Sequence, residues 1–173
     1  EGSVVGLVED DPIMGVYLVQ SLSLEGCHVE WSKTGGEAMR GLRIANPDVV
    51  ICDIRLPDME GHALFRQLAA TLQLPPFLFV TAYGDIDQAV SLMRDGAADY
   101  VTKPFSPREL VSRVRAVLRR TEAASSATRG ELIEVDDRGM QELLRQVTSD
   151  KLLLALKAAD ESLKEKIFKN MSQ

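Results

Sequence analysis

Hydrophobic positions in the first two thirds of the chain switch repeatedly between two periods. Ser3–Val8, His28–Ser32, Asp48–Cys52, Phe77–Val80 and Asp99–Thr102 are short, bounded and mostly β-branched or aromatic, so they predict strands. Between and after them lie Ile13–Leu24, Gly36–Ala45, His62–Leu72, Ile86–Arg94 and Arg108–Arg120. Their apolar residues recur three and four apart, which predicts amphipathic helices. Strict alternation of strand and helix at this spacing implies βαβ crossovers, hence an α/β domain with a doubly wound parallel sheet covered on both faces. The near-continuous apolar runs Val4-Val5-Gly6-Leu7-Val8 and Val49-Val50-Ile51-Cys52 suit strands buried on both sides. Sheets of this kind place their sites at the carboxyl ends of the strands.

Those ends carry the candidate chemistry. The first strand runs into Glu9-Asp10-Asp11, the third into Asp53, the fourth into Thr81-Ala82, and the fifth into Lys103-Pro104. Asp and Thr in such loops often serve only as helix caps, and Asp11 before Pro12 is read that way. Capping does not account for Asp53, which is followed by Ile54-Arg55-Leu56-Pro57 rather than by a helix. Carboxylates gathered at one rim repel unless a cation sits among them or some stay protonated. A hard divalent ion with oxygen ligands, Mg²⁺ above all, suits a set of carboxylates, a backbone carbonyl and water. The ion would shield an attacking Asp53 from an anionic phosphodonor. Lys103 adds positive charge near the transferred oxygens, and Thr81 can donate to one of them. Phosphoryl transfer asks for in-line positioning and charge stabilisation, and this set offers both.

Composition narrows the classes. Of the 173 residues 45% are hydrophobic and 27% charged, enough for a buried core and unlike a disordered chain. The formal net charge of −6 argues against nucleic acid as an obligatory partner. No apolar run is long enough to cross a bilayer, and no basic stretch leads into an apolar one at the start, so neither a membrane span nor a signal peptide is expected. Cys27 and Cys52 lack ligand-like spacing and read as buried thiols in a reduced, cytoplasmic protein. His28 and His62 are isolated and read as surface or packing residues, and Trp31, on an expected edge strand, as packing. Gly35-Gly36 and Asp95-Gly96 read as a helix start and a helix stop. Arg108, Arg113, Arg115, Arg119 and Arg120 read either as a solvated face or, with Asp95 and Asp99, as half of a charged dimer surface.

The strings LVEDDP, DVVICDIRLPDMEG, FVTAYG and DGAADYVTKPF resemble the CheY-like receiver domain of two-component response regulators over residues 3–120, with some similarity to regulators of the NtrC class. The resemblance implies a five-stranded sheet in the order 2-1-3-4-5. It makes Asp53 the phospho-accepting aspartate, and Glu9 and Asp10 the acidic pair. Asp10 would then be a direct Mg²⁺ ligand, Glu9 would act largely through water, and the Arg55 backbone carbonyl would complete the protein ligands. Thr81 becomes the switch hydroxyl, Lys103 the site lysine and Tyr100 the switch aromatic, with a cis peptide at Lys103-Pro104. A histidine kinase or phosphotransfer protein is the implied donor. The domain would act only on itself, by accepting a phosphoryl group and later losing it to water, and would not be a metabolic enzyme. A homodimer through the fourth helix, fifth strand and fifth helix is the implied self-association. A hydrolytic phosphatase with an aspartate nucleophile would need a second acid two residues on, where Arg55 stands.

The division expected is a receiver domain at 1–121, a flexible linker at 122–131 (Glu-Ala-Ala-Ser-Ser-Ala-Thr-Arg-Gly-Glu), and a helical segment at 132–173. One helix is expected after Asp136-Asp137 with Met140, Leu143, Leu144 and Val147. A second opens at Ser149-Asp150 with Leu152, Leu153, Leu154 and Leu156, and a third carries Leu163, Ile167, Phe168 and Met171. From Asp136 to Ser172 the segment resembles part of the flagellar motor switch protein FliG, stopping before that family's torque-bearing helix. A natural fusion, a truncation and an engineered fusion are all compatible with this segment, and its end at Gln173 within the pattern favours the last two as an expectation. Three short helices bury little apolar surface alone, so they are expected to dock on the receiver or across a homodimer, the homodimer being favoured. The alternative function is an assembly module in which these helices do the work and the receiver only regulates them.

Overall fold

The protein is described here by a computed structural model covering residues 2–71, 74–82, 85–134, 136–146, 156, 159 and 161–171. Among these residues the strands are β1 (Val4–Val8), β2 (His28–Ser32), β3 (Val49–Asp53), β4 (Phe77–Thr81) and β5 (Asp99–Thr102). They form one parallel sheet in the order β2-β1-β3-β4-β5. The helices are α1 (Pro12–Leu24), α2 (Gly35–Ala45), α3 (Gly61–Thr71), α4 (Ile86–Arg94) and α5 (Pro107–Glu134), followed by α6 (Asp137–Gln146) and α7 (Glu161–Met171). The expected α/β sheet and its strand order are therefore present.

The period of two along each strand sorts its side chains into two core layers. Val5, Leu7, Val49, Ile51, Leu78, Val80 and Val101 pack with Leu18 and Leu22 of α1 and with Leu110, Val114 and Val117 of α5. Their neighbours Val8, Val50, Cys52, Phe77 and Phe79 pack on the other side with α2, α3 and α4. There Phe65, Phe77 and Phe79 meet at centroid separations of 5.3–5.8 Å, two of the three contacts being edge-on. The central strands β3 and β4 are buried along their whole length, which explains their lack of polar alternation. Edge strand β2 alternates between exposed and half-buried positions before ending on buried Ser32.

Local chemistry sets the helix ends that matter for the site. Asp11 caps α1 as expected, its Oδ1 accepting from the amides of Ile13 (2.9 Å) and Met14 (3.3 Å). Thr34 caps α2 through the Glu37 amide, and Asp58 accepts from the amides of Gly35 (2.8 Å) and Gly36 (2.9 Å). Those two amides hold the Asp58 carboxyl below its ordinary range. Gly96 closes α4 at φ +108°, a conformation that costs glycine little.

Two expectations need correction. Residues 122–131 are not a loop: α5 runs through them to Glu134. The stretch contains no proline and three alanines, the strongest helix former, and its lone Gly130 costs a helix only about 1 kcal/mol. Cys27 is only half-buried, whereas Cys52 is fully enclosed.

The chain divides into two compact units, Glu1–Arg119 and Arg120–Gln173. In the second, Met140, Ala159, Leu163 and Ile167 form a small apolar cluster with Leu144 and Leu156. Buried Asn170 joins α7 to α6. Its amide donates to Asp137 Oδ1 (3.2 Å) and to the Lys166 carbonyl (2.8 Å), and its oxygen accepts from Gln141 (3.2 Å). Lys169 and Asn170 together lower the Asp137 carboxyl. The helix expected from Ser149-Asp150 falls, apart from Leu156, outside the described residues.

Candidate functional site

β1, β3 and β5 carry Glu9, Asp10, Asp53 and Lys103 to one end of the sheet. β3 and β4 extend one residue beyond the expected ends, so Asp53 and Thr81 are themselves ladder residues, in register with Val80 and Thr102. Their backbones are thus fixed by sheet hydrogen bonds rather than left to a loop. The loop after Asp53 folds back tightly: the Leu56 amide donates to the Met59 carbonyl (3.1 Å) and the Gly61 amide to that of Ile54 (2.5 Å). A Cβ on Gly61 would lie 2.3 Å from the Asp53 carbonyl oxygen, so only glycine allows this approach.

Glu9, Asp10 and Asp53 each offer a carboxylate oxygen within 4.8 Å of the others. Glu9 and Asp53 are buried, while Asp10 opens to solvent. Lys103 Nζ donates to Asp53 Oδ2 (2.9 Å) and lies 3.7 Å from Glu9 Oε2. The Arg55 amide donates to Asp53 Oδ1 (3.2 Å), and the Asp11 amide to Glu9 Oε1 (3.0 Å). Burial is the main force raising the Glu9 carboxyl, with Asp53 and Asp10 adding to it and the Asp11 amide and Lys103 opposing. Burial works against the Lys103 charge, but its hydrogen bond to Asp53 and the attraction of Asp53, Glu9 and Asp10 outweigh this and raise its pKa. Three acidic groups against one ammonium leave a negative cleft, exposed to solvent at Asp10. That donor set, all oxygen and open on the Asp10 side, fits a small divalent cation.

Thr81 is fully buried, and its Oγ1 has no hydrogen-bond partner among the described residues. Its carbonyl accepts from the Lys103 amide (2.7 Å), and the Lys103-Pro104 peptide is cis. Tyr100 is half-buried on β5, in register with Phe79 and packed on the same core layer as α4. Register places Thr81, Phe79 and Tyr100 on one face of the sheet. Tyr83 and Gly84, the end of the FVTAYG string, lie outside the described residues.

Two neighbours of the site escaped the sequence reading. Arg55 reaches across to Asp85 with a two-pronged contact, Nε to Oδ2 (3.0 Å) and a terminal nitrogen to Oδ1 (2.7 Å). Asp85 is buried at the start of α4 and gives that helix no side-chain cap, because its carboxylate is turned to Arg55. Trp31, expected only to pack, donates its indole N–H to the Glu9 carbonyl (2.9 Å). No local pattern announces either contact, since each joins residues far apart in sequence. The basic residues on α5 are partly engaged within the chain: Arg113 pairs with Asp99 (3.1 Å) and Glu109 (3.5 Å), and Arg115 with Glu25. Asp95 pairs with Arg66 (2.8 Å).

Comparison with known proteins bears on the whole arrangement. Residues 5–115 match the family model described as response regulator receiver domain, and residues 117–173 that of the FliG C-terminal domain. The chain is 34% identical over 164 residues to the transcriptional regulatory protein TrcR of Mycobacterium tuberculosis, covering 95% of this chain and 63% of that one. It is 44% identical over 123 residues to the transcriptional regulatory protein CreB of Escherichia coli, covering 70% and 53%. The non-phosphorylated HemR receiver domain of Leptospira biflexa superposes with a TM-score of 0.63 at 34% identity, covering 67% of this chain and 94% of that one. No described helix is long and apolar enough to cross a membrane.

Proposed function

The chain belongs to the response regulator receiver family, and on that premise we propose that it is a phospho-accepting switch in which Asp53 takes a phosphoryl group from a histidine kinase or phosphotransfer protein. A carboxylate oxygen of Asp53 attacks phosphorus, the bond to the donor nitrogen breaks, and the donor keeps that electron pair. Water later cleaves the acyl phosphate and restores the carboxylate. Glu9, Asp10, Asp53 and the Arg55 carbonyl are the groups that would hold Mg²⁺, which when bound supplies positive charge for the transferred oxygens. Lys103, 2.9 Å from Asp53, provides a fixed ammonium on the same side.

The observation that carries this reading is the pairing of the acidic cleft with an unsatisfied, buried Thr81 hydroxyl at the neighbouring strand end. That hydroxyl has a donor to give, and a phosphoryl group on Asp53 would bring three strong acceptors. Movement of Thr81 toward them would leave space on the face it shares with Tyr100, biasing α4, β5 and α5 toward a second arrangement. Beside the cleft, α1 presents exposed Ile13, Val16 and Tyr17, an apolar surface for the donor protein. Transcriptional output belongs to whole relatives of which this chain spans 63% and 53%.

Labelling with acetyl phosphate tests the reading. Wild type should take up label at a hydroxylamine-sensitive site only with Mg²⁺ present. Asp53→Asn, nearly isosteric, should keep the fold and take none. Label persisting in Asp53→Asn, or in wild type with excess chelator, overturns it.

A further inference from the structure

We infer that Trp31 is a positioning residue for the acidic cleft: its indole N–H pins the peptide unit joining Glu9 to Asp10, and so sets the cleft's affinity for a divalent cation. This rests on the reading of the cleft given above.

β2 runs beside β1 in register, Leu7 opposite Trp31 and Val8 opposite Ser32. The ladder's next bond goes from the Glu9 amide to the Ser32 carbonyl (3.0 Å). There β2 ends. The Lys33 amide turns to the Glu37 carboxylate (2.9 Å), and Thr34 begins the cap of α2. The strand therefore no longer supplies a backbone donor for the Glu9 carbonyl, in a residue only 2% exposed. The Trp31 indole supplies it at 2.9 Å. Glu9 is thus held on both sides of its Cα by the end of β2, through its own amide and its own carbonyl, and its side chain is held by the Asp11 amide. The carbonyl of Glu9 and the amide of Asp10 share one rigid plane. Fixing that carbonyl fixes the direction in which the chain presents Asp10.

The indole is itself seated independently of this bond. It lies against α1 at Gly15, where an added Cβ would fall 2.0 Å from Cζ2 and 2.4 Å from Cε2. Lys33 Nζ sits 5.0 Å from the ring centroid on a cation–π contact. A ring clamped this way can hold a carbonyl in place rather than follow it. Partners that orient metal ligands without touching the metal commonly change affinity by about tenfold or more when removed.

The test uses the full chain and Mg²⁺ alone, titrated by NMR amide shifts without phosphodonor. Trp31→Phe keeps an aromatic ring over Gly15 but removes the donor. Its half-saturating Mg²⁺ concentration should rise about tenfold. Val29→Ala, in the same strand and half-buried away from Glu9, is the control for general loosening and should leave Mg²⁺ affinity within twofold of wild type. Equal affinity in Trp31→Phe and wild type overturns the proposal, as does an equal loss in Trp31→Phe and Val29→Ala. Acetyl phosphate labelling of wild type separates the two levels. Wild type that binds Mg²⁺ and takes label while Trp31→Phe matches it refutes the role of Trp31 alone. Wild type that does neither refutes the reading of the cleft, and the role of Trp31 with it.

Discussion

Replacing Thr81 by valine should stabilise the folded protein while impairing its response to phosphorylation. Thr81 is 0% exposed, and its backbone is committed to the sheet and to the Lys103 amide. Its Oγ1 is buried with no partner among the described residues. A hydroxyl taken out of water without a compensating hydrogen bond costs about 1–3 kcal/mol. Valine has the same branched shape and replaces that hydroxyl by a methyl group, so most of the cost should be recovered, about 1–2 kcal/mol. For a chain of this size that corresponds to a rise in Tm of about 2–4 °C per kcal/mol. Thr81→Ala should be less stable than Thr81→Val by about 1 kcal/mol, because it also leaves a methyl-sized void. Urea unfolding followed by tryptophan emission, without Mg²⁺ or phosphodonor, gives the stability; the single Trp31 reports it without overlap. NMR shifts of α4 and β5 amides on adding acetyl phosphate give the response, which should be strongly reduced in both variants. A Thr81→Val protein no more stable than wild type would refute the reasoning, since the hydroxyl would then be satisfied in the resting state.

Arg55 beside Asp85 holds that carboxyl below its ordinary value of 3.8, so the pair's stabilisation is present above that value and is lost as pH falls through the lowered folded one. Asp85→Asn should therefore flatten the acid limb of the urea midpoint plotted against pH, and an unchanged limb would show that the pair contributes nothing. In the second unit, Asn170→Ala removes three hydrogen bonds from a buried carboxamide and should weaken the pairing of α6 with α7 by about 1–3 kcal/mol. Amide hydrogen exchange in those helices should quicken accordingly, and unaltered protection would refute the role given to Asn170.

Much of the receiver architecture was legible because each strand and helix declares its period locally. The strand ends were legible for the same reason: a carboxylate straight after an apolar run has nowhere to go but the rim of the sheet. Glu9, Asp10 and Asp53 are legible in this way, and Thr81 and Lys103 as polar residues at neighbouring strand ends; the structure gathers the three carboxylates and the Lys103 ammonium, with Thr81 on the adjoining strand. What stayed hidden depends on pairs distant in sequence. Asp58 completes the cap of α2 from 22 and 23 residues away, Asp85 receives Arg55 from 30 residues away, and Trp31 reaches Glu9 across 22. Each of these residues has an ordinary local explanation as a turn acid, a helix start or an edge-strand aromatic. The expected linker failed for another reason. Small residues were read as freedom, but alanine without proline favours helix, and a helix already under way at Pro107 needs no new nucleus to continue.

Gly61 imposes a constraint on any attempt to rebuild this domain in the laboratory. It does no chemistry, yet any side chain there would strike the carbonyl of the very residue proposed to accept the phosphoryl group. Libraries that include position 61 would mostly sample displaced versions of Asp53, and those that include position 58 would also release the start of α2. The turn can close over Asp53 only because one atom is missing at its far end.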